Sequence, residues 1–330
     1  MKVKYATLAL AAAVLLSACH STIEDPAQET SESKASSESA ETGSDDVSEA
    51  LTLPDVIWVG GMTCFQSLTG EVLLDSSNGL TMLDLSGTGS EPVYVCANVG
   101  CKHTDADSCT AAFMSLAAFP VTYDGRIYGI VSAEGSLGMY SCGTDGTDLM
   151  KDYDFGYSAS VTGSGAVRAG DMLYYMILDE TSGMDDDGYA VVEDSCVTLY
   201  QTNLLNGDTA PVYEFSHSYG SNGIALFYSD GYIGAEVSLQ TRSIEEAGYT
   251  QKEYVDAMTT GGDWETMYEA LDVVSQYVLI NEEDFSGDII NPGEGSHLLG
   301  VADESLLAAK AWDEYIYGLR PTAPHTSGWH

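Results

Sequence analysis

The chain has 330 residues, 51 of them acidic against 11 Lys and Arg, a formal charge of −40 with the histidines neutral. So negative a surface repels nucleic acid and anionic lipid headgroups, which excludes both as partners. Tyr (21) outnumbers Phe (7) and Gly reaches 34, a balance that suits strands and tight turns more than long helices.

The first predicted element is a leader. Lys2 and Lys4 supply a positive start, Ala6 to Leu16 an apolar core, and Leu16-Ser17-Ala18 bring small residues up to a lone Cys19. The run is too short and too abruptly ended to span a membrane as a mature helix. It has the form of a bacterial lipobox, in which the cysteine thiol is diacylated and cleavage leaves Cys19 as the new N-terminus. The alternative is an ordinary secretory signal with a coincidental cysteine. Residues 1–18 are therefore expected to be a lipoprotein signal peptide, with the mature chain held by lipid on Cys19 at the outer face of the cytoplasmic membrane. Loss of the leader removes two lysines and no acid, so the mature chain carries −42.

Residues 19–50 follow as a spacer. From His20 to Ala50 the chain is Ser, Glu, Thr, Ala and Asp, with nine acids and only Lys34 as a base. Such a segment has too little apolar surface to offset its ordering entropy, and it predicts a tether rather than a fold.

From Leu51 onward short strand-forming runs alternate with Gly and Asp turns, and a repeat emerges. Asp124-Gly125-Arg126-Ile127-Tyr128 matches Asp171-Met172-Leu173-Tyr174-Tyr175, Asp230-Gly231-Tyr232-Ile233 and Asp313-Glu314-Tyr315-Ile316-Tyr317. Each is a polar turn leading into an aromatic and β-branched strand. A second strand then runs to another turn, as in Leu137-Gly138-Met139-Tyr140 before Asp145-Gly146, and Leu199-Tyr200 before Asn206-Gly207. Such pairs suit hairpin turns, whose central residues need positive φ. Leu80 to Leu85 carries the same signature in a first unit. About 40–50 residues of strand and turn per unit is the period of a four-stranded propeller blade. Residues 51–330 are thus expected to form an all-β domain, a β-propeller of about five blade-like units with the last incomplete. A β-sandwich is the competing reading, but it has no reason to repeat its strand openings. Val56-Ile57-Trp58-Val59 is available to complete the last unit; truncation of a longer propeller is the alternative.

A helical insertion interrupts the strands at about 243–274. Ser243-Ile244-Glu245-Glu246 and Thr250-Gln251-Lys252-Glu253 read as capping boxes. Tyr254, Met258, Trp264, Met267, Tyr268 and Leu271 recur at helical spacing, and Gly261-Gly262 separates two short helices. The stripe either packs on a neighbouring unit or belongs to a recognition element.

Cys19 aside, six cysteines remain: Cys64, Cys96, Cys101, Cys109, Cys142 and Cys196. Three of them flank a histidine in Cys96-Ala97-Asn98-Val99-Gly100-Cys101-Lys102-His103, followed by Cys109. Thiolate and imidazole are preferred zinc ligands, so Cys96, Cys101, His103 and Cys109 form a candidate structural zinc site, although the spacing departs from the usual paired two-residue pattern. The alternative is a disulfide-stapled loop, such as Cys101 to Cys109 with Cys96 to Cys64, since an exported chain permits disulfides.

This segment, "YVCANVGCKHTDADSCTA", behind a lipobox and ahead of Tyr- and Gly-rich repeats, resembles a family of lipoproteins from Gram-positive anaerobes. Their Cys…Cys-x-His…Cys-x-Ala pattern is matched by Cys96, Cys101, His103, Cys109 and Ala111. The resemblance runs from about Trp58 to the C-terminus. It implies a β-propeller-like domain, related to Tyr-rich extracellular repeats, and brings no activity. Family members continue further, which makes truncation after Gly318 an expectation.

The acidic groups Asp179-Glu180, Asp185-Asp186-Asp187 and Glu193-Asp194 lack the spacing of a twelve-residue calcium loop and read as a solvated connection. Asn281-Glu282-Glu283-Asp284 and Asp288 read the same way. His217 and His297 read as satisfied surface histidines. No Gly-x-Ser-x-Gly, phosphate-binding Gly loop or His-Glu-x-x-His is present. The leading functional expectation is a lipid-anchored, non-catalytic binding domain for a protein or glycan. The second is a carbohydrate-active enzyme with carboxylates at the propeller centre. A solute receptor fits less well, because the βαβ patterning of such proteins is missing.

Overall fold

A computed structural model describes residues 56–60, 66–69, 72–85, 91–260, 264–290, 296–302, 305–310 and 316–319. The leader, Cys19, the spacer 19–50, Cys64, Gly261-Gly262 and Asp313 lie outside them. The described residues are almost entirely β, in antiparallel sheets that follow chain order.

β1 (Val56–Gly60) comes first. β2 (Gln66–Thr69), β3 (Val72–Asp75), β4 (Thr81–Asp84) and β5 (Val93–Tyr94) form the first sheet. After α1 (Thr110–Met114), β6 (Ala118–Tyr123), β7 (Arg126–Ala133), β8 (Ser136–Gly143) and β9 (Met150–Gly156) form the second. β10 (Ala159–Ala169), β11 (Met172–Met184), β12 (Ala190–Asn203) and β13 (Thr209–Glu214) form the third. β14 (Ser221–Ser229) and β15 (Tyr232–Gln240) are separated by α2 (Gln251–Thr260) and α3 (Trp264–Ala270) from β16 (Val273–Asn281) and β17 (Gly287–Ile290), which complete the fourth. β18 (Ser296–Ala302), β19 (Ser305–Lys310) and β20 (Ile316–Leu319) make a three-stranded last sheet.

The repeat seen in the sequence has a structural cause. Every sheet joins its first two hairpin strands by a two-residue step, as the pairs Thr69↔Val72, Tyr123↔Arg126, Ala169↔Met172, Ser229↔Tyr232 and Ala302↔Ser305 show. Asp124-Gly125 and Asp230-Gly231 fill this step with positive φ at both residues, which is why Asp-Gly recurs there. The residue after the third strand then donates its N–H to the carbonyl of the step's second residue: Thr144 to Gly125, Leu204 to Asp171 and Glu282 to Gly231. The repeated turn therefore lies inside each sheet, between its first and second strands, and does not open a unit. The last sheet makes this step between Ala302 and Ser305, so Asp313, which falls between β19 and β20, is out of phase with the repeat.

Val56–Val59 does not complete the last sheet. β1 pairs antiparallel with β10, Trp58 opposite Val167, and makes the third sheet five-stranded. The reason is apolar: Val59 is fully buried beside Ala118, Phe119, Ala166, Leu173 and Tyr175, in the core shared by the second and third sheets.

Burial grades across each sheet. In the second, third and fourth sheets the second strand is buried on both faces over most of its length, as from Leu173 to Leu178. β9 and β13 are half-buried or exposed, and β13 carries Pro211, which an edge strand tolerates because no neighbour needs its N–H.

Consecutive sheets are joined by buried tyrosines. The Tyr128 hydroxyl on β7 donates to the Leu204 carbonyl in the third sheet at 2.7 Å. Tyr174 on β11 donates to Glu282 Oε1 at 2.6 Å in the fourth, and Tyr228 donates to the other oxygen at 2.5 Å. Tyr277 on β16 reaches the Ser296 carbonyl in the last sheet and Glu236 Oε1 at 3.2 Å. Glu236 is 1% exposed, and its Oε2 accepts the Leu298 N–H at 2.9 Å. Gly234 occupies the place that Tyr128 and Tyr174 hold in their sheets. A Cβ there would stand 2.4 Å from Val301 Cγ2, so the last sheet packs directly on bare backbone.

The helical insertion is shorter than expected, because Val273 and Val274 already belong to β16. The Thr250–Glu253 box caps α2 reciprocally, Thr250 N–H to Glu253 at 2.8 Å and Glu253 N–H to Thr250 Oγ1 at 3.2 Å. The Ser243–Glu246 box closes equally well but heads a single turn, which ends at Gly248 in the left-handed region. Ala257, Met267 and Leu271 form an apolar cluster with Ile244, Tyr254 and Trp264 of the same connection and with Val273 of β16.

Removing one inter-sheet tie is expected to be costly. Tyr174→Phe leaves Glu282 with one fewer donor and should lower unfolding stability by about 1.5–3 kcal/mol, the usual worth of a hydrogen bond to a charged group. Glu283→Gln, on the exposed neighbour, should stay within about 0.5 kcal/mol in the same urea titration.

Candidate metal centre

The four residues singled out between Cys96 and Cys109 come together. One sulfur from each cysteine and one imidazole nitrogen of His103 all lie within 4.8 Å of one another. Cys109 Sγ is 3.6 Å from Cys96 Sγ and 3.4 Å from His103 Nδ1. Two sulfurs bound to one tetrahedral zinc at ~2.3 Å stand ~3.8 Å apart, and a sulfur and a nitrogen ~3.5 Å. The observed separations are those of ligands around one ion. They are far from the ~2.05 Å of a disulfide, and Cys96, Cys101, Cys109, Cys142 and Cys196 are all free.

Local backbone geometry builds this convergence. Cys96 lies two residues beyond short β5, and Cys109 is the N-cap of α1 in extended conformation. Between them the chain doubles back: Cys101 donates its N–H to the Asn98 carbonyl, and Gly100 and His103 take positive φ. Asn98 holds the far side of the loop through a 3.0 Å bond to the Ser108 carbonyl. Amide N–H groups of Asn98 and His103 point at the sulfurs of Cys96 and Cys101, each at 3.4 Å. Such bonds favour thiolate, and the His103 N–H is the main reason the Cys101 thiol is held below its usual range. Cys109 is pushed up to about 11, chiefly by burial. A metal ion reverses that cost by replacing the thiol proton.

Neighbours that the sequence did not single out orient the set. The Tyr94 ring stacks on the His103 imidazole with centroids 3.9 Å apart and planes 16° from parallel. Gly146, in the turn between β8 and β9, presses on Cys96 so closely that a Cβ would lie 2.5 Å from its Cα. Thr110 Oγ1 donates to the Gly146 carbonyl at 2.9 Å. The loop thus bridges β5 of the first sheet, α1 and the second sheet.

Other candidate residues are placed elsewhere. Cys142 is buried in the core of the first two sheets with its thiol pushed up to about 12 by burial, and Cys196 sits on β12. The acids at 179–194 do not form a loop: Asp179, Glu180 and Asp194 are on the long β11–β12 hairpin, and Asp185 closes its tip by accepting N–H bonds from Asp187 and Tyr189. Glu282 is taken by the two tyrosines, Asp284 caps its own turn through Ser286, and Asp288 is an exposed residue of β17. His217 bonds Asp194 and Glu214, and His297 stands 3.6 Å from Glu236.

No protein-family model matches the chain, and no curated protein does. Similar solved structures include an oligogalacturonate lyase in complex with manganese, at 13% identity over 82% of this chain and 65% of that one, TM-score 0.39. An acylaminoacyl peptidase in complex with a chloromethyl ketone is 10% identical over 76% of this chain and 36% of that one, TM-score 0.39. The β-propeller domain of the Trilobed protease from Pyrococcus furiosus is 11% identical over 79% and 71%, TM-score 0.39. This chain spans less than two thirds of the first two. At this level of identity and overlap no activity or ligand carries over.

Zinc titrated into reduced, metal-free protein should bind at this cluster with release of protons, and more weakly as pH falls, because thiols and imidazole must be deprotonated to ligate. Calorimetry in buffers of different ionisation enthalpy measures that release. Cys101→Ser should lose one equivalent of zinc. It should also lose the associated rise in stability, about 4 kcal/mol when free zinc is ~1,000-fold above Kd.

Proposed function

We propose that the chain is a lipid-anchored, non-catalytic binding domain: a β-propeller-like array of five sheets, stapled by a structural zinc at Cys96, Cys101, His103 and Cys109. It would be displayed at the outer face of the cytoplasmic membrane through Cys19 and take a protein or glycan ligand at the 241–272 insertion. The repeated order of antiparallel sheets, each with the same two-residue step, supports the blade reading. Four protein donors around one ion leave no open position for water or substrate, as in structural rather than catalytic zinc sites.

The observation that carries the binding reading is the insertion, whose helices pack mainly on one another. Its apolar stripe is shared among residues of the connection, with Val273 of β16 the one strand residue in the cluster. One bond leads from it to the β11–β12 hairpin, Gln251 Nε2 to the Ala190 carbonyl at 2.6 Å, and Tyr268 stays 46% exposed. Glu236, the one buried acid among the described residues, and Glu282 are committed to ties between sheets.

Two experiments test the reading. Replacing 243–270 by a short Gly-Ser turn should leave the fold intact by circular dichroism and abolish retention of the mature protein on the cell-wall glycan or protein array it otherwise binds. Unchanged retention overturns the placement. Cys19→Ser should move the protein from the membrane fraction to the culture medium.

A further inference from the structure

A second group of metal-type donors lies on the third sheet, in residues that no sequence motif connects. Cys196 on β12, Glu214 at the end of β13 and His217 in the connection beyond it each place one ligand atom within 4.8 Å of the others. The pairing of β12 with β13 causes this. Thr198 lies opposite Glu214, which brings the strand end back beside Cys196.

The histidine is oriented for ligation. Its Nδ1 lies 2.8 and 3.0 Å from the two carboxylate oxygens of Asp194, and its Nε2 is 3.3 Å from Glu214 Oε1. With Nδ1–H donated to Asp194, Nε2 is left toward Glu214, and 3.3 Å is the separation of a nitrogen and an oxygen each bound at ~2.0–2.1 Å to one tetrahedral ion. A carboxylate holding the far nitrogen of a ligating histidine is the common outer-shell arrangement of zinc sites, fixing tautomer and ring orientation. Cys196 is 7% exposed, and its sulfur lies 3.4–3.5 Å from the Phe215 and Val197 carbonyls, weak contacts that a metal–thiolate bond would replace.

We infer that Cys196, His217 and Glu214 form a second metal site for a borderline divalent cation of the zinc class, with Asp194 as its positioning residue. On binding, the Cys196 thiol proton passes to solvent and the sulfur, Nε2 and one Glu214 oxygen become ligands. Three protein donors leave one tetrahedral position for water or an incoming Lewis base, unlike the four-donor cluster at Cys96–Cys109. The ion would tie β12, β13 and the connection to the fourth sheet.

The test is cobalt(II) titration of the reduced, metal-free mature chain, with stoichiometry by equilibrium dialysis and sulfur-to-cobalt absorption as second readout. The wild type should bind two equivalents. His217→Ala and Glu214→Gln, both at exposed side chains, should each bind one and keep the stronger, three-sulfur absorption. Cys101→Ser should keep a weaker band from one sulfur. Asp194→Asn should weaken the second equivalent roughly 10–100-fold while leaving the melting temperature of the metal-free protein unchanged. The inference is overturned if the wild type binds none, or one equivalent that Cys101→Ser removes and His217→Ala does not. It is equally overturned if His217→Ala and Glu214→Gln still bind two.

Discussion

The described part of this protein depends on buried tyrosine hydroxyls finding acceptors in the next sheet. An antiparallel sheet satisfies its backbone internally and has no directional bond to offer a neighbour packed against its face. Apolar contact supplies attraction between sheets but little register. Tyr128, Tyr174 and Tyr277 add the register, because a hydroxyl buried without a partner is costly and each has one acceptor set within reach. This accounts for Tyr rather than Phe at those three positions. The ring supplies the burial, and the oxygen supplies the address.

Two of these ties end on carboxylates, which bears on function as much as on stability. Glu236 is the one buried acid among the described residues, and both oxygens of Glu282 accept tyrosine hydroxyls. Here each is saturated by donors from two sheets. Tyr174 and Tyr228 have their hydroxyl pKa values raised, first by burial and then by Glu282, Tyr228 to about 12, which keeps both protonated and donating. Neither carboxylate offers an oxygen without a protein donor.

The metal-type clusters follow the same logic at two scales. The Cys96–Cys109 set is local: one tight loop, with an N-cap and two left-handed residues, brings four donors to one point. The Cys196 set is assembled by strand pairing, from a strand, its neighbour's end and the turn beyond. Each sits at a junction between consecutive parts of the chain. There a metal bond can stand in for the hydroxyl ties used elsewhere: the first sheet is linked to the second through the cysteine loop and α1, with Leu80 donating to the Ala111 carbonyl.

Much of the local structure was legible in the residues. Asp-Gly turns, aromatic strands and the reciprocal box at Thr250 and Glu253 each depend on neighbours within a few positions, so spacing determines them, whereas the Cys-x4-Cys-x-His-x5-Cys run named its four donors but left a disulfide loop open. What depends on distant partners was decided only by the tertiary structure. β1 joins β10 because Val59 is buried between the second and third sheets, not because of anything in its own run. The repeated turn proved to lie within sheets, since turn chemistry is the same wherever a hairpin falls. Gly234 breaks the tyrosine repeat because Val301, far along the chain, fills the space a side chain would need. His217, by sequence one satisfied surface histidine, acquires Asp194, Glu214 and Cys196 only when β12 and β13 pair. Local chemistry specified the parts, and long-range burial chose which of them meet.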